Sequence, residues 1–433
     1  MGTTLPTAPA QTSCGVSQAT DQATVDHGWK LGTRLADRWL GERVQRTIEP
    51  AAVRLELWDG SSSYAGPQPP IGDLIVTDRR TLLGLALNPE LWFGESYMAG
   101  RLLVRGPLEE IVEALTANAP VNVSWQQRLW MAFAGRNSVR HSRHNVHHHY
   151  DLGNPFYQLW LDRELVYTCA YFADPGMSLE AAQIAKLDLV CRKLHLRPGE
   201  RVVEAGCGWG ALAMHMARHY GVTVKAFNVS REQLTYARDR ASREGLSGQI
   251  EFVDDDYRNV IGEFDAFVSV GMLEHVGLQH YHSLADVLRR TLKRDTGRGL
   301  LHFIGRDIPR PLNAWIRRRI FPGAYPPTLA EVTTGILGPC GMSVIDVENL
   351  RLHYRETLAH WSERFASATD QVRATYGEAF RRAWELYLAG SQAAFATGWM
   401  QLFQIVFVPR EAPPPSWTRA DVYESHPPVS VDR

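Results

Sequence analysis

VVEAGCGWG, residues 202–210, is an apolar run broken by one acid and closed by glycines at 206, 208 and 210. The run predicts a strand, and the glycines predict a turn whose backbone lies close against a ligand at the strand's C-terminal edge. The spacing is G-x-G-x-G and differs from the dinucleotide fingerprint G-x-G-x-x-G. Working outward, strand and helix signals alternate. RVVEAG is followed by ALAMHMARHY, VTVKAFN, REQLTYARDRASREG, IEFVDDD, FDAFVSVG, a helical stretch near 280–293, and GLLHFIG. Such alternation predicts a parallel sheet flanked by helices. MSVIDVEN (342–349) and QLFQIVFV (401–408) supply two further strands around a long helical insert containing HYRETLAHWSERF and FRRAWELYLAG.

The acid decides between ligands. Glu204 would repel a pyrophosphate but can accept from an ammonium group, such as that on the aminocarboxypropyl arm of S-adenosyl-L-methionine. NAD enzymes place an acid at the end of the second strand to hold the ribose; here Asn228 and Gln233 offer neutral hydrogen bonds. Asp256 and Tyr257 follow the third strand, where an adenine amine and ring face are met. With Gly206, Gly208 and Gly210 these form the candidate cofactor site of a methyltransferase. On the motif alone, other nucleotide folds stay open.

The totals bound the alternatives. A chain of 433 residues points to more than one domain. A net charge of −1 and pI near 7.0 give no reason to expect nucleic acid. Arg outnumbers Lys, which suits either phosphate recognition or codon bias. Five cysteines (14, 169, 191, 207, 340) without a CxxC pair argue against a disulfide framework or thiolate zinc site and suit a reducing cytoplasm. Residues 1–28 read as a polar, disordered leader, with no apolar core for a signal peptide. No stretch is long enough to span a membrane, so any membrane contact is peripheral. Leu31 to Ile48 has helical periodicity with interleaved arginines; it fits a membrane-surface helix or, preferably, a domain helix with a solvated basic face. GDLIVTD reads as a short strand and 80–120 as helical. HSRHNVHH, beginning at His141, and the next histidine, His149, raise a metal site. They lack an acid partner, and no metal is expected.

Seven motifs together resemble the cyclopropane-fatty-acyl-phospholipid synthase family, which includes mycolic acid cyclopropane synthases: LWFGESYMAG (91–100), HYDLGN (149–154), YTCAYF (167–172), GCGWGALA (206–213), SVGMLEHVG (269–277), LLHFIG (300–305) and IFPG (320–323). Similarity runs from about Arg80 to Arg410. It implies a Rossmann-like, seven-stranded class I methyltransferase domain with a smaller, mainly helical α+β N-terminal domain. The expected divisions are a leader (1–28), a lipid-docking domain (29–140), the catalytic domain (141–410) and a tail (411–433). The implied activity is transfer of a methylene from S-adenosylmethionine to a cis double bond of a membrane phospholipid, at the inner face of the membrane. The family's base, a bound bicarbonate ion, maps onto Cys169, Glu274, His302 and Tyr354, with the Ile304 backbone beside them. Tyr150 and Gly153 map near the cofactor's carboxylate.

Each residue has a plainer reading as well. Glu274 and His275 could cap a strand end, His302 could be a core histidine, and Cys169 a small buried hydrophobe. Tyr354 lies across a variable insert. Glu204 stands where relatives more often carry Asp, and Ala211 where they often carry Gly. Tyr167, Tyr171, Phe172, Tyr354 and Trp361 are candidates for stabilising a cation. WIRRRIFPG (315–323) fits either lipid phosphates beside interfacial aromatics or a solvated helix end. A homodimer is compatible with the resemblance, although the sequence shows no interface. Methyl or methylene addition without ring closure is the alternative activity; a catalytically silent lipid-binding protein is the alternative class.

Overall fold

The computed structural model describes residues 33–119 and 152–423. The leader, Tyr150, the five histidines, Trp125 and Trp130 lie outside the described residues.

The chain first forms a small α+β unit. Its elements are α1 (Leu35–Ile48), β1 (Val53–Glu56), β2 (Gly72–Val76), α2 (Arg79–Leu87), α3 (Pro89–Met98), β3 (Leu102–Arg105) and α4 (Leu108–Ala117). The strands lie in the order β1-β2-β3. Two strands depart from the sequence reading. β3 falls inside a stretch read as helical, and β1 went unread because four residues carry too little periodicity to register. The apolar stripe of α1 is only part of its inner face: Leu40, Val44 and Ile48 pack partly buried against the core of this unit, but the fully buried positions are polar or small. Asp37, Gly41 and Gln45 are buried, while Leu35 is 86 % and Trp39 56 % exposed. The physical reason is polar pairing: the Gln45 amide donates to the Val53 carbonyl and accepts from the Leu55 N–H, serving β1, and Asp37 holds the Arg79 guanidinium through two bonds of 2.6 Å.

The larger unit carries the seven-stranded sheet. After α5 (Asn154–Tyr157) and α6 (Leu179–Lys193) come β4 (Arg201–Ala205), α7 (Ala211–Tyr220), β5 (Thr223–Asn228), α8 (Arg231–Arg243), β6 (Ile250–Asp254), β7 (Ala266–Val270), α9 (Leu273–Val276), α10 (Tyr281–Thr291) and β8 (Arg298–Gly305). Then follow α11 (Ala314–Arg319), α12 (Leu329–Val332), β9 (Met342–Asn349), α13 (Arg351–Ser367), α14 (Thr369–Tyr376), α15 (Glu378–Ala396), β10 (Gln401–Pro409) and α16 (Ala420–Tyr423). The order is β6-β5-β4-β7-β8-β10-β9, with β10 antiparallel to both neighbours. This is the expected class I methyltransferase sheet. Its central strands are mostly apolar because helices cover both faces; all nine residues of β10 are buried.

Helices α13 to α15 build a third layer over the C-terminal end of β8 and the N-terminal end of β10, with a core rich in aromatic rings around Trp160, Trp361 and Trp384. The N-terminal unit docks on this layer. Tyr97 donates to the Glu385 carboxylate at 2.6 Å, and Gly94 lies so close to Trp315 that an added Cβ would stand 2.3 Å from the indole.

Candidate active site

The glycine turn and the strand ends around it enclose a cavity of ≈ 190 Å³. The Gly206 and Cys207 N–H groups both donate to the Phe227 carbonyl, which folds the turn back over β5. The three glycines do different work. At Gly210 a Cβ would press on Phe252 and Ala237, and at Gly206 on Met272; at Gly208 it would meet nothing within 4 Å. Gly208 (φ +54°) therefore leaves its backbone open to a ligand, whereas Gly210 (φ +83°) lets α7 start tight against its neighbours.

Glu204, Asn228, Gln233, Asp256 and Tyr257 all line this cavity. Glu204 is buried, with one carboxyl oxygen lacking a hydrogen-bond partner among the described residues. Burial pushes its pKa up to about 8, opposed by the nearby Lys186 ammonium. Asn228 donates to the Gly208 carbonyl at 3.1 Å and to Gln233 Oε1 at 2.8 Å, so the amide nitrogen of Gln233 is the end left for a ligand. Asp256 holds Arg258 in a two-point ion pair at 2.7 Å. The Tyr257 hydroxyl is buried without a partner among the described residues. A buried acid facing an ammonium, an open glycine and neutral amides suit S-adenosylmethionine.

The described end of the HYDLGN motif, residues 152–154, is tied to the same turn. Asn154 accepts from the Trp209 indole at 2.7 Å, and its N–H donates to Glu232 at 2.8 Å, at the start of α8. Gly153 (φ +82°) precedes α5 and brings this anchor over the turn.

Lys186 was missed in the sequence. It lines the cavity, is 1 % exposed, and donates to Thr168 Oγ1 at 2.8 Å. Burial lowers its pKa to about 8. Its signal was available: Lys186 shares the buried face of α6 with Leu179, Ala182 and Gln183, where a charged residue is rare.

The remaining candidates sit just after β7, within β8 and in the aromatic layer. Glu274 accepts from the Ile304 N–H, and its second oxygen is buried without a partner among the described residues. Burial pushes its pKa up to about 7, the Ile304 N–H opposing. The Ile304 backbone thus engages Glu274. His302 lies two residues earlier on the same face of β8, and burial, with the charges of Lys186 and Lys193, holds its imidazole well below its ordinary range. Cys169 is fully buried, 4.0 Å from the Leu350 carbonyl and from Thr357 Oγ1, and burial pushes its thiol well up. It is a thiol and not a thiolate, which fits a hydrogen-bonding role. Tyr354 stacks on Phe395 with centroids 4.4 Å apart and packs in one core with Cys169.

Aromatic rings lead from the cavity into this layer. Trp209 and Tyr167 line the cavity; Tyr157 is 5.0 Å from Trp209, and Trp361 is 5.4 Å from Tyr167. Of the arginines in WIRRRIFPG, Arg319 is spent on a two-point pair with Glu95 at 2.6 and 2.7 Å. Among the described residues, no cluster of His, Cys, Asp and Glu could hold a metal, and no helix is long and apolar enough to cross a membrane.

The family described as mycolic acid cyclopropane synthetase matches residues 137–405, and a domain of unknown function matches 42–124. The chain belongs to the mycolic acid cyclopropane synthetase family. A probable fatty acid methyltransferase from Pseudomonas putida is 36 % identical over 86 % of this chain and 96 % of its own length. The cyclopropane-fatty-acyl-phospholipid synthase of Escherichia coli K12 is 40 % identical over 60 % of this chain and 66 % of its own. A mycolic acid cyclopropane synthase crystallised with SAH and CTAB superposes with a TM-score of 0.58, at 31 % identity, covering 61 % of this chain and 97 % of that one. Membership of the cyclopropane synthetase family makes the chain an S-adenosylmethionine-dependent methyltransferase that acts in lipid synthesis.

Proposed function

We propose that this enzyme adds a methylene across a cis double bond of a phospholipid acyl chain and closes a cyclopropane ring. One observation carries the reading: the cofactor cavity continues through Trp209 and Tyr167 into a buried aromatic layer that also contains Cys169 and Tyr354 and adjoins Glu274 and His302. Bound S-adenosylmethionine supplies the electrophilic methyl group. The alkene π pair forms the new C–C bond, the S–CH3 bond breaks, and its electrons leave on sulfur. The resulting carbocation loses a proton from the added carbon, and the C–H pair closes the ring. An alkene is a weak nucleophile, so much of the rate comes from holding it aligned with the methyl group. Water would quench the cation, which a dry aromatic wall prevents while stabilising the charge. Glu274, His302, Tyr354, Cys169 and the Ile304 backbone would hold a bicarbonate ion, which would supply the proton acceptor.

Glu204, Gly206, Gly208, Gly210, Asn228, Gln233, Asp256 and Tyr257 hold the cofactor, with Tyr150 and Gly153 closing over its carboxylate end. The N-terminal unit rests peripherally on the membrane, an assignment supported by exposed Leu35, Trp39 and Leu87.

The relative named a probable fatty acid methyltransferase favours a second reading, methyl or methylene addition without ring closure, in which the cation loses a different proton. Mass spectrometry of lipids from a host rich in unsaturated phospholipids separates the two. Acyl chains one CH2 heavier that resist mild hydrogenation support the ring; chains that hydrogenate readily support methylene addition. An unchanged acyl profile rejects both.

A further inference from the structure

Two polar residues stand at interior positions of otherwise apolar strands, and they face each other. His302 on β8 and Gln404 on β10 are cross-strand partners, and Gln404 is paired on its other side with Glu348 on β9. A polar row therefore crosses three strands. Lys193, near the C-terminal end of α6, reaches into the row. Its ammonium donates to Gln404 Oε1 at 2.7 Å, forms an ion pair with Glu348 and lies 3.7 Å from Asp346. The Gln404 side-chain nitrogen stands 3.0 Å from His302 Nδ1. Gln404 is 0 %, His302 2 % and Lys193 3 % exposed, so water does not compete for these bonds.

The donor inventory leaves one arrangement. An ammonium has donors only, so the amide atom facing Lys193 is the oxygen. The amide nitrogen is thereby turned to His302 and, being a donor, requires a lone pair on Nδ1. The ring proton must then sit on Nε2, on the far side of the imidazole. We propose that Lys193 and Gln404 form a positioning relay that fixes His302 as the neutral Nε2–H tautomer, so that it meets its ligand as a hydrogen-bond donor and not as a proton acceptor. Glu348 and Asp346 compensate the buried ammonium, without which the relay would carry an isolated charge. The catalytic use of the tautomer rests on the anion reading above: an Nε2–H donor suits an oxyanion and leaves the substrate's proton to that anion. The tautomer itself does not depend on it.

The test is a two-bond 1H–15N spectrum of the full-length protein carrying ¹⁵N-labelled histidine, with His302→Asn identifying the His302 signals. The expected pattern is protonated Nε2 and unprotonated Nδ1; protonated Nδ1 in the wild type overturns the relay. In Gln404→Glu the carboxylate keeps Lys193 but accepts from Nδ1, so the proton is expected to move to Nδ1 or the ring to become doubly protonated. Gln404→Met removes the amide without adding charge. Both are expected to lower kcat by about 10- to 100-fold while leaving the KM for S-adenosylmethionine near wild type. Lys193→Arg, a donor-only replacement, is expected to keep the wild-type tautomer. A Gln404→Glu protein with the wild-type tautomer and rate overturns the proposal. Should that variant fail to fold, the wild-type spectrum still decides. Separately, a bicarbonate titration that leaves the Nε2 proton unmoved would remove the anion reading while the relay stands.

Discussion

At Glu204 a carboxyl group is buried at the end of β4 with its pKa raised to about 8. At pH 7 it is mostly protonated before the cofactor arrives, and the cofactor's ammonium then favours the ionised form. Binding is therefore expected to release a proton, and affinity to rise with pH up to about 8. Calorimetry in buffers of different ionisation enthalpy measures the release; Glu204→Gln is expected to abolish it and to weaken binding by about 1.5–3 kcal/mol. Glu274 gives a stability signature. Its folded pKa of about 7 lies above the ordinary carboxyl value of 4.5, so the folded state holds the extra proton between those values. Stability from this group is present at low pH and is lost as pH rises through about 7, by about 3 kcal/mol. Denaturant titrations in bicarbonate-free buffer are expected to show wild type losing ground to Glu274→Gln from about pH 5 to 8; parallel curves would reject the assignment. Glu204 was read from its place in the glycine motif, and Glu274 through the family resemblance. Lys186 was passed over although it stands among buried residues of its helix, and Gln404 was hidden because strand periodicity says nothing of a single polar residue whose partners are distant in sequence.

At the level of elements, α6 carries more than packing. Its buried face presents Lys186 to the cofactor cavity and Lys193 to the polar row, seven residues apart and so on one side of the helix. Lys193 stands in the last turn of this helix, where a basic residue is ordinary. Helix α3 shows how the two units fit. Gly94 lets Trp315 of α11 lie against its backbone, and Arg319 of the same short helix reaches Glu95. Gly94→Val is expected to force the indole away and cost about 1–3 kcal/mol, read as a fall in Tm, with the change in cofactor affinity small because the cavity lies elsewhere. The β1 strand and the buried face of α1 were the poorest readings. Both depend on Gln45, whose side-chain bonds to Val53 and Leu55 carry no sequence pattern.

Over the whole molecule, apolar side chains remain in solvent on the N-terminal unit. Leu35 and Trp39 of α1 and Leu87 of α2 are exposed, and Arg43 lies over the Trp39 ring at 5.9 Å. An aromatic beside a cation suits the interface of an anionic bilayer. The triple change Leu35→Ser, Trp39→Ser and Leu87→Ser is expected to reduce co-sedimentation with anionic phospholipid vesicles several-fold, while turnover of detergent-dispersed lipid stays near wild type. Equal co-sedimentation would reject this face as a membrane-docking surface.

The sequence by itself determined the sheet, because β4 to β8 are apolar runs separated by amphipathic helices, and helix–sheet packing leaves such a pattern few solutions. It determined the cofactor turn for the same local reason: an acid and three glycines stand within nine residues. Only the tertiary structure decided how His302 is protonated and which charges lie beside it. Those follow from Lys193, Gln404 and Glu348, up to 211 residues apart in the chain and joined by hydrogen bonds that no local period encodes.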